Sequence, residues 1–290
     1  MKGILLAGGS GSRLYPLTQV ISKQLLPVYD KPMICYPLAT LMSFGIKDIL
    51  IISTPQDTPN IEKYLGNGEK FGIHLQYKVQ DKPNGIAEAF LLGADFVEDS
   101  NVCLILGDNI FYMNDGLIKD IRYKMNNDVS TVFGYRVSDP ERYGVVEFDE
   151  NNKVLSIEEK PKQPKSNYAV VGLYFYTKDV VEKAKSLKPS ARGELEITDI
   201  NKLYLEEGRL NVEVLSRGTA WLDAGLPDTL LSASNYVEMV EKRQGIKIAC
   251  LEEEAYNQGF ITKEQLIALV DKLKDGIDYK KYLQKVINYK

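Results

Sequence analysis

Two hydrophobic periods alternate along the first half of this chain. Strand-like apolar runs fall at Gly3–Leu6, Asp48–Ser53, Ile73–Val79, Val102–Leu106, Val129–Tyr135, Gly144–Phe148, Val154–Ile157 and Ala169–Thr177. Helix-length segments separate the early ones, at Met33–Phe44, Pro59–Leu65, Gly85–Phe96 and Gly116–Met125. In the first of these, Ile34, Leu38, Leu41 and Met42 recur near one face. Strand and helix in this order predict an α/β fold, with a mostly parallel central sheet flanked by helices. From Gly144 to Thr177 the rhythm breaks into added strands or hairpins, with a Pro/Lys-rich loop at Lys160–Lys165. After Asp223 the pattern turns helical, first from Pro227 through Glu241, then in two amphipathic stretches within residues 261–290. The expected division is a main domain at 1–243, with halves of about 1–135 and 136–243, and a small helical piece at 244–290. That piece could pack on the main domain or on another subunit.

Composition narrows the function. A chain of 290 residues buries a full core as one α/β domain, with or without a small subdomain. Its net charge of −4 supplies no basic field for nucleic acid. The three cysteines, Cys35, Cys103 and Cys250, sit in apolar contexts without metal-type spacing, which points to a reducing compartment. No apolar run approaches the ~18 residues of a membrane span, so the expectation is a cytoplasmic protein with no membrane partner. His74 is the only histidine and lies in a strand-like alternation, so histidine triads and histidine-rich metal sites are hard to build.

The densest chemistry is at the N-terminus. The first apolar run feeds Gly8-Gly9-Ser10-Gly11-Ser12-Arg13, and Lys23 follows ten residues after Arg13. Glycines let backbone N–H groups converge on an anion, and Arg13 and Lys23 add mobile positive charge. This reads as a polyphosphate cradle at the C-terminal end of a strand. The dinucleotide fingerprint would need a glycine where Leu14 stands, and the ATPase loop needs a Gly-Lys-Ser/Thr that is absent. A second signal is Asp108, directly after the run Val102–Leu106, at the ligand edge of an open α/β sheet. Asp223 follows Trp221-Leu222; taken alone it reads first as a turn or cap residue.

These residues carry a resemblance. The pattern from Leu6 through Pro16, with Lys23, Pro27-Val28 and Lys31-Pro32-Met33, resembles the sugar-nucleotide pyrophosphorylases. Later blocks favour their thymidylyl branch: Gln80–Gly85, Leu106–Tyr112, Tyr143–Phe148, Glu158–Pro161, Arg192–Asn201 and Ala220–Gly225. Together they span about residues 1 to 240. The resemblance implies a Rossmann-like nucleotidyltransferase fold with an inserted sugar-binding strand region. It also implies dTTP and glucose 1-phosphate as substrates, Mg²⁺ as cofactor, a homotetramer, and dTDP-rhamnose as a possible feedback inhibitor. A related enzyme using UTP or another sugar phosphate, or a silent nucleotide-sugar sensor on the same fold, are the other readings.

The resemblance also assigns residues. Catalysis falls to Arg13, Lys23 and Lys160. Nucleotide binding falls to Gly8, Gly9, Gly11, Ser12, Arg13, Lys23, Gln24, Gln80, Gly85 and Asp108. The Gln80 amide can pair with a pyrimidine edge, although Lys82–Gly85 could be only a surface turn. Sugar-phosphate binding falls to Asn109, Gly144, Glu159, Lys160, Val171, Tyr174 and Arg192. For Tyr174 plain packing is an equal reading, since it alternates with Gly172 and Tyr176, and Arg192 could instead form a surface salt bridge. Asp108 and Asp223 would hold the metal, which matches the one or two carboxylates Mg²⁺ prefers. One departure stands out. Met113 occupies a place where family members commonly have glycine at a second, regulatory site, while Arg217 still matches that site's phosphate contact.

Overall fold

The computed structural model describes residues 1–9, 11–124 and 129–289. Ser10 of the glycine loop and Met125 of the fourth helical segment lie outside the described residues. The first elements are β1 (Lys2–Ala7), β2 (Pro27–Val28), β3 (Lys31–Pro32), α1 (Cys35–Ser43), β4 (Asp48–Ser53), α2 (Thr58–Leu65), β5 (His74–Val79), α3 (Glu88–Leu92), α4 (Ala94–Val97) and β6 (Val102–Leu106). The middle holds β7 (Asn109–Tyr112), α5 (Asp115–Lys124), β8 (Ser130–Arg136), β9 (Gly144–Phe148), β10 (Val154–Glu159), β11 (Tyr168–Tyr176), α6 (Val180–Ser186) and α7 (Ile197–Glu206). The chain then runs through β12 (Leu210–Val214), β13 (Ala220–Asp223), α8 (Pro227–Gln244), α9 (Leu251–Asn257), α10 (Lys263–Asp271) and α11 (Asp278–Tyr289).

One large sheet organises these elements. Strands β5, β4, β1 and β6 run parallel, as the strand–helix alternation predicts. Strand β11 joins β6 antiparallel and carries β9, β10, β8 and β12 beyond it. The parallel strands are covered on both faces. Leu5, Ile51 and Ile105 face α1 and the C-terminal helices through Leu251, Leu266 and Leu283. Ile4, Leu50 and Leu104 face Phe90, Val180 and Ile200 of α3, α6 and α7. Thus residues 244–289 share a hydrophobic core with the sheet.

Several expectations shift. Every residue of α1 is buried, so the helix has no solvent-exposed face, and its Tyr36, Thr40 and Ser43 hydroxyls bond backbone carbonyls. The single helix expected over Gly85–Phe96 is instead α3 and α4, broken at Gly93. Residues 84–87 are drawn off the helix because Asn84 and Ala87 bond the backbone of Leu195. Helices α6, α7 and α9, and strands β7, β12 and β13, are additional elements that the sequence patterning does not predict. Among the described residues, no helix is long and apolar enough to cross a membrane.

Two details position the site. Strand β13 pairs with β7 so that Asp223 lies opposite Asn109. The pairing of β11 with β8 slips register between Val170 and Tyr174. Asn109 sits against β11 within that irregular stretch, at Gly172.

Candidate active site

The glycine loop leaves the C-terminal end of β1, and Asp108 leaves the same end of the adjacent β6. Beside them lies a cavity of about 240 Å³. Arg13, Asp108, Asn109 and Asp223 line one side, and Gly144, Glu159, Lys160, Tyr174 and Arg192 line the other. Residues more than two hundred positions apart therefore share one wall.

The two aspartates meet there. Burial first, then the charge of Asp108, raises the Asp223 carboxyl above its ordinary range; Lys23, Arg13 and Arg142 oppose the shift. Burial would raise Asp108 as well. It is instead held below its ordinary range by the charge and hydrogen bond of Lys23 and by Asn109 Nδ2, which donates at 2.9 Å. Two carboxylates that repel within a buried pocket fit a divalent cation, whose charge removes the repulsion. Lys23 is itself buried and ion-paired to Asp108. Arg13 makes no hydrogen bond or ion pair among the described residues, although its Nη2 comes within 3.3 Å of where a Cβ on Gly225 would stand. Its charge is left for a ligand.

Asn109 organises this wall. It is 4% exposed, and its Oδ1 accepts from Trp221 Nε1 at 2.6 Å and from Gly172 N at 3.0 Å. A Cβ on Gly172 would lie 2.7 Å from both Cγ and Oδ1 of Asn109, so this close approach requires glycine. A chain of bonds thus runs from Trp221 through Asn109 and Asp108 to Lys23.

The opposite wall is paired internally. Thr198 Oγ1 donates to Glu159 Oε2 at 2.6 Å, which leaves Oε1 near Lys160 and Arg192, at 3.6 and 3.8 Å. Arg192 is mainly held by Glu196, with two contacts of 2.9 Å. Lys160 adopts φ 44°, a left-handed conformation costly for a residue with a Cβ, and its N–H donates to Tyr143 O at 3.0 Å. The surroundings hold that strain where Pro161 follows and the side chain borders the cavity. The Tyr174 hydroxyl is pushed up by burial and by the nearby charges of Glu159 and Asp108.

The expected nucleotide residues form a second group beside the cavity. Gln24 Nε2 donates to Gly8 O at 3.3 Å, and a Cβ on Gly8 would lie 2.7 Å from Gln80 Oε1. Gln80 Nε2 donates to Gly85 O at 3.3 Å and to Glu88 Oε2 at 2.7 Å. Gly85 has φ +107°, and a Cβ there would meet Leu195 O at 2.3 Å. The Lys82–Gly85 segment is therefore tied to the strand of chain bearing Glu194 and Glu196. Gly8, Gln24, Gln80 and Gly85 lie together here but outside the cavity wall, as do Gly9, Gly11 and Ser12.

Some assignments land elsewhere. Val171 turns its side chain into the core on the other face of the sheet, while Val170 and Gly172 line the cavity. Lys31 lies in a buried ion cluster with Asp30, Glu241 and Lys247. Met113 borders a separate cavity of about 160 Å³ with Tyr112, Lys247 and Ile248, and the exposed Arg217 is not among that cavity's lining. Residues not assigned from the sequence, Arg142, Glu196, Thr198 and Trp221, prove to line the active cavity. The blocks Arg192–Asn201 and Ala220–Gly225 were the available signal for the last three.

The nucleotidyl transferase family model matches residues 2–239. A glucose-1-phosphate thymidylyltransferase of Neisseria gonorrhoeae is 58% identical over 268 residues, 92% of each chain. A Bacillus anthracis structure described as a glucose-1-phosphate thymidylyltransferase in complex with a sucrose is 46% identical, with a TM-score of 0.75 over 81% of this chain and 94% of that one. A UDP-glucose pyrophosphorylase bound to UDP-glucose shares the fold at 24% identity, with a TM-score of 0.73 over 82% of this chain and 98% of that one. With its family pattern matched from the second residue into α8, the chain belongs to the nucleotidyl transferase family.

Proposed function

We propose that the protein transfers the dTMP moiety of dTTP to glucose 1-phosphate, giving dTDP-glucose and pyrophosphate. The observation that carries this reading is the single cavity with an unpaired Arg13 beside two converging aspartates, facing Glu159, Lys160 and Arg192. The similarity to the Neisseria gonorrhoeae thymidylyltransferase supports the choice of substrates.

A sugar phosphate is already ionised near neutral pH, so its oxygen attacks the α-phosphorus without a general base. The residues' task is positioning and charge neutralisation. Glu159 accepts from sugar hydroxyls, while Lys160 and Arg192 hold the attacking phosphate. Arg13 gathers the charge of the departing pyrophosphate, and Lys23 neutralises the region of the α-phosphate. Asp108 and Asp223 would hold Mg²⁺, which supplies Lewis-acid neutralisation of the phosphate oxygens. The residues Gly8, Gln80 and Gly85 bound the base. His74 cannot act as a nucleophile here; it is exposed, beside Asp48 at the opposite end of the strands. All three cysteines are free, buried and pushed up by burial, Cys35 to about 11, which suits a reducing cytosol.

Pyrophosphate release from a panel of dTTP, UTP and other nucleotides with several sugar phosphates tests this. Greatest kcat/KM is expected for dTTP with glucose 1-phosphate. Preference for UTP, or no release with any pair, would overturn it. The same assay with added dTDP-rhamnose reads regulation: stronger inhibition of Met113→Gly than of the unaltered protein is expected, and equal inhibition removes Met113 from that role.

A further inference from the structure

The cavity has one polar group whose partner is missing from the protein. Asn201 is 1% exposed, and its Nδ2 has no hydrogen-bond partner among the described residues. The other end of the same amide is fixed, because Tyr176 O–H donates to Oδ1 at 2.5 Å. That bond dictates which way the amide faces and leaves the donor end without a protein acceptor. Residues Ile197, Thr198 and Asn201 all line the cavity from α7, at the i, i+1, i+4 spacing of one helix face. Asn201 therefore stands one turn beyond Thr198, whose hydroxyl fixes Glu159.

A buried N–H group without an acceptor is costly, and such groups are rare in folded proteins. The other polar side chains that line this part of the cavity have partners. Glu159 is taken by Thr198, Arg192 by Glu196, and Asn109 by Gly172, Trp221 and Asp108. One neutral donor is thus left open among the cavity's residues. A single neutral N–H suits a hydroxyl oxygen, while Lys160 and Arg192, on the same side as Glu159, supply the charge a phosphate needs.

We infer that Asn201 is a specificity-determining residue whose Nδ2 donates to a single hydroxyl of the sugar. This rests on the reading of the cavity as a sugar-phosphate site. Tyr176 is then a positioning residue: it locks the amide so that the donor, and not the acceptor, faces the sugar. Because the donor is sealed beneath the wall, the hydroxyl reaches it by a small shift of the neighbouring side chains. The strain of the unpaired amide is relieved only when that hydroxyl is present.

The test uses the intact protein with dTTP, and with glucose 1-phosphate beside its 2-, 3-, 4- and 6-deoxy analogues. Asn201→Asp keeps the acceptor for Tyr176 and removes the donor. For glucose 1-phosphate, kcat/KM should fall about 5- to 20-fold while the KM for dTTP is unchanged, as expected for one lost hydrogen bond. For one deoxy analogue, and only one, variant and unaltered protein should agree within about twofold. Tyr176→Phe, which frees the amide to rotate, should show a smaller loss with the same analogue silent, and it serves if Asn201→Asp does not fold. An equal loss across all analogues, or no loss with glucose 1-phosphate, would overturn the inference. An unaltered protein inactive on every sugar phosphate would instead overturn the parent reading, and this inference with it.

Discussion

The two sides of the cavity handle charge differently. On the side of the aspartates, Arg13 makes no hydrogen bond or ion pair among the described residues, Asp223 is raised by burial and by a like charge, and Lys23 and Asn109 together hold Asp108 down. On the opposite side the polar groups are already paired: Glu159 to Thr198 and Arg192 to Glu196. Under the proposed function, the first side takes phosphate and a cation, and the second, already pre-organised, takes the sugar. Reactions that build charge at one end of a bound pair need the unpaired cation where that charge appears, and fixed geometry where discrimination is made.

The aspartates carry the heaviest expectation. Asp223→Asn removes one of the two converging carboxylates, and turnover should fall on the order of 10³-fold with folding intact. Near-normal divalent-ion-dependent turnover would remove Asp223 from the cation site. Next comes Arg13→Ala. If Arg13 acts on the leaving charge, kcat and kcat/KM should fall together, by about 10²-fold or more. A change confined to the KM for dTTP would make it a ground-state binder and would erase the contrast between the two sides.

A milder change probes the paired wall. Gly172→Ala places a Cβ 2.7 Å from Cγ and Oδ1 of Asn109, which is held by Trp221 and cannot simply rotate away. A loss of about 1–3 kcal/mol in stability is expected from this overpacking, with a raised KM for glucose 1-phosphate. Unchanged denaturation and kinetics would show that Asn109 is not rigidly held.

That pair also shows what a sequence carries. The glycine loop, Arg13 and Lys23 are contiguous, and Asp108 directly follows a buried run, so their chemistry stands out in the chain itself. The parallel β5-β4-β1-β6 core was legible for the same reason, since buried parallel strands read as unbroken apolar runs. The opposite wall is assembled from β9, β10, β11 and α7. Thr198 and Trp221 stand in blocks that carry the family resemblance, but their roles lie in contacts across the fold, to Glu159 and Asn109. Short β7 and β13 escape periodicity because they pair only with each other, off the main sheet. Gly85 looked like a turn residue, and only its approach to Leu195 reveals a packing role. Arg142 gives no sequence signal at all, yet it lines the cavity, and its charge acts on Asp223.

The smallest expected effect lies beneath the sugar wall. Asp179 accepts from Thr177 Oγ1 at 2.5 Å, Arg209 at 2.8 Å and Tyr204 O–H at 3.1 Å. Burial opposes its ionisation, but these bonds hold its carboxyl well below the ordinary range. A carboxyl lowered in the folded state stabilises above its unfolded value of about 4. That contribution is lost as pH falls toward the folded value. Asp179→Asn should therefore lower stability at neutral pH and flatten its decline below about pH 4. Parallel stability curves for both proteins in acid would contradict this.

The central claim is that charge and position suffice, with no covalent nucleotidyl-enzyme intermediate. The most direct measurement is the stereochemical course at the α-phosphorus, followed with chiral dTTPαS and glucose 1-phosphate. A single in-line displacement by the sugar phosphate predicts inversion. Retention would mean two displacements through a protein nucleophile, and would contradict the account.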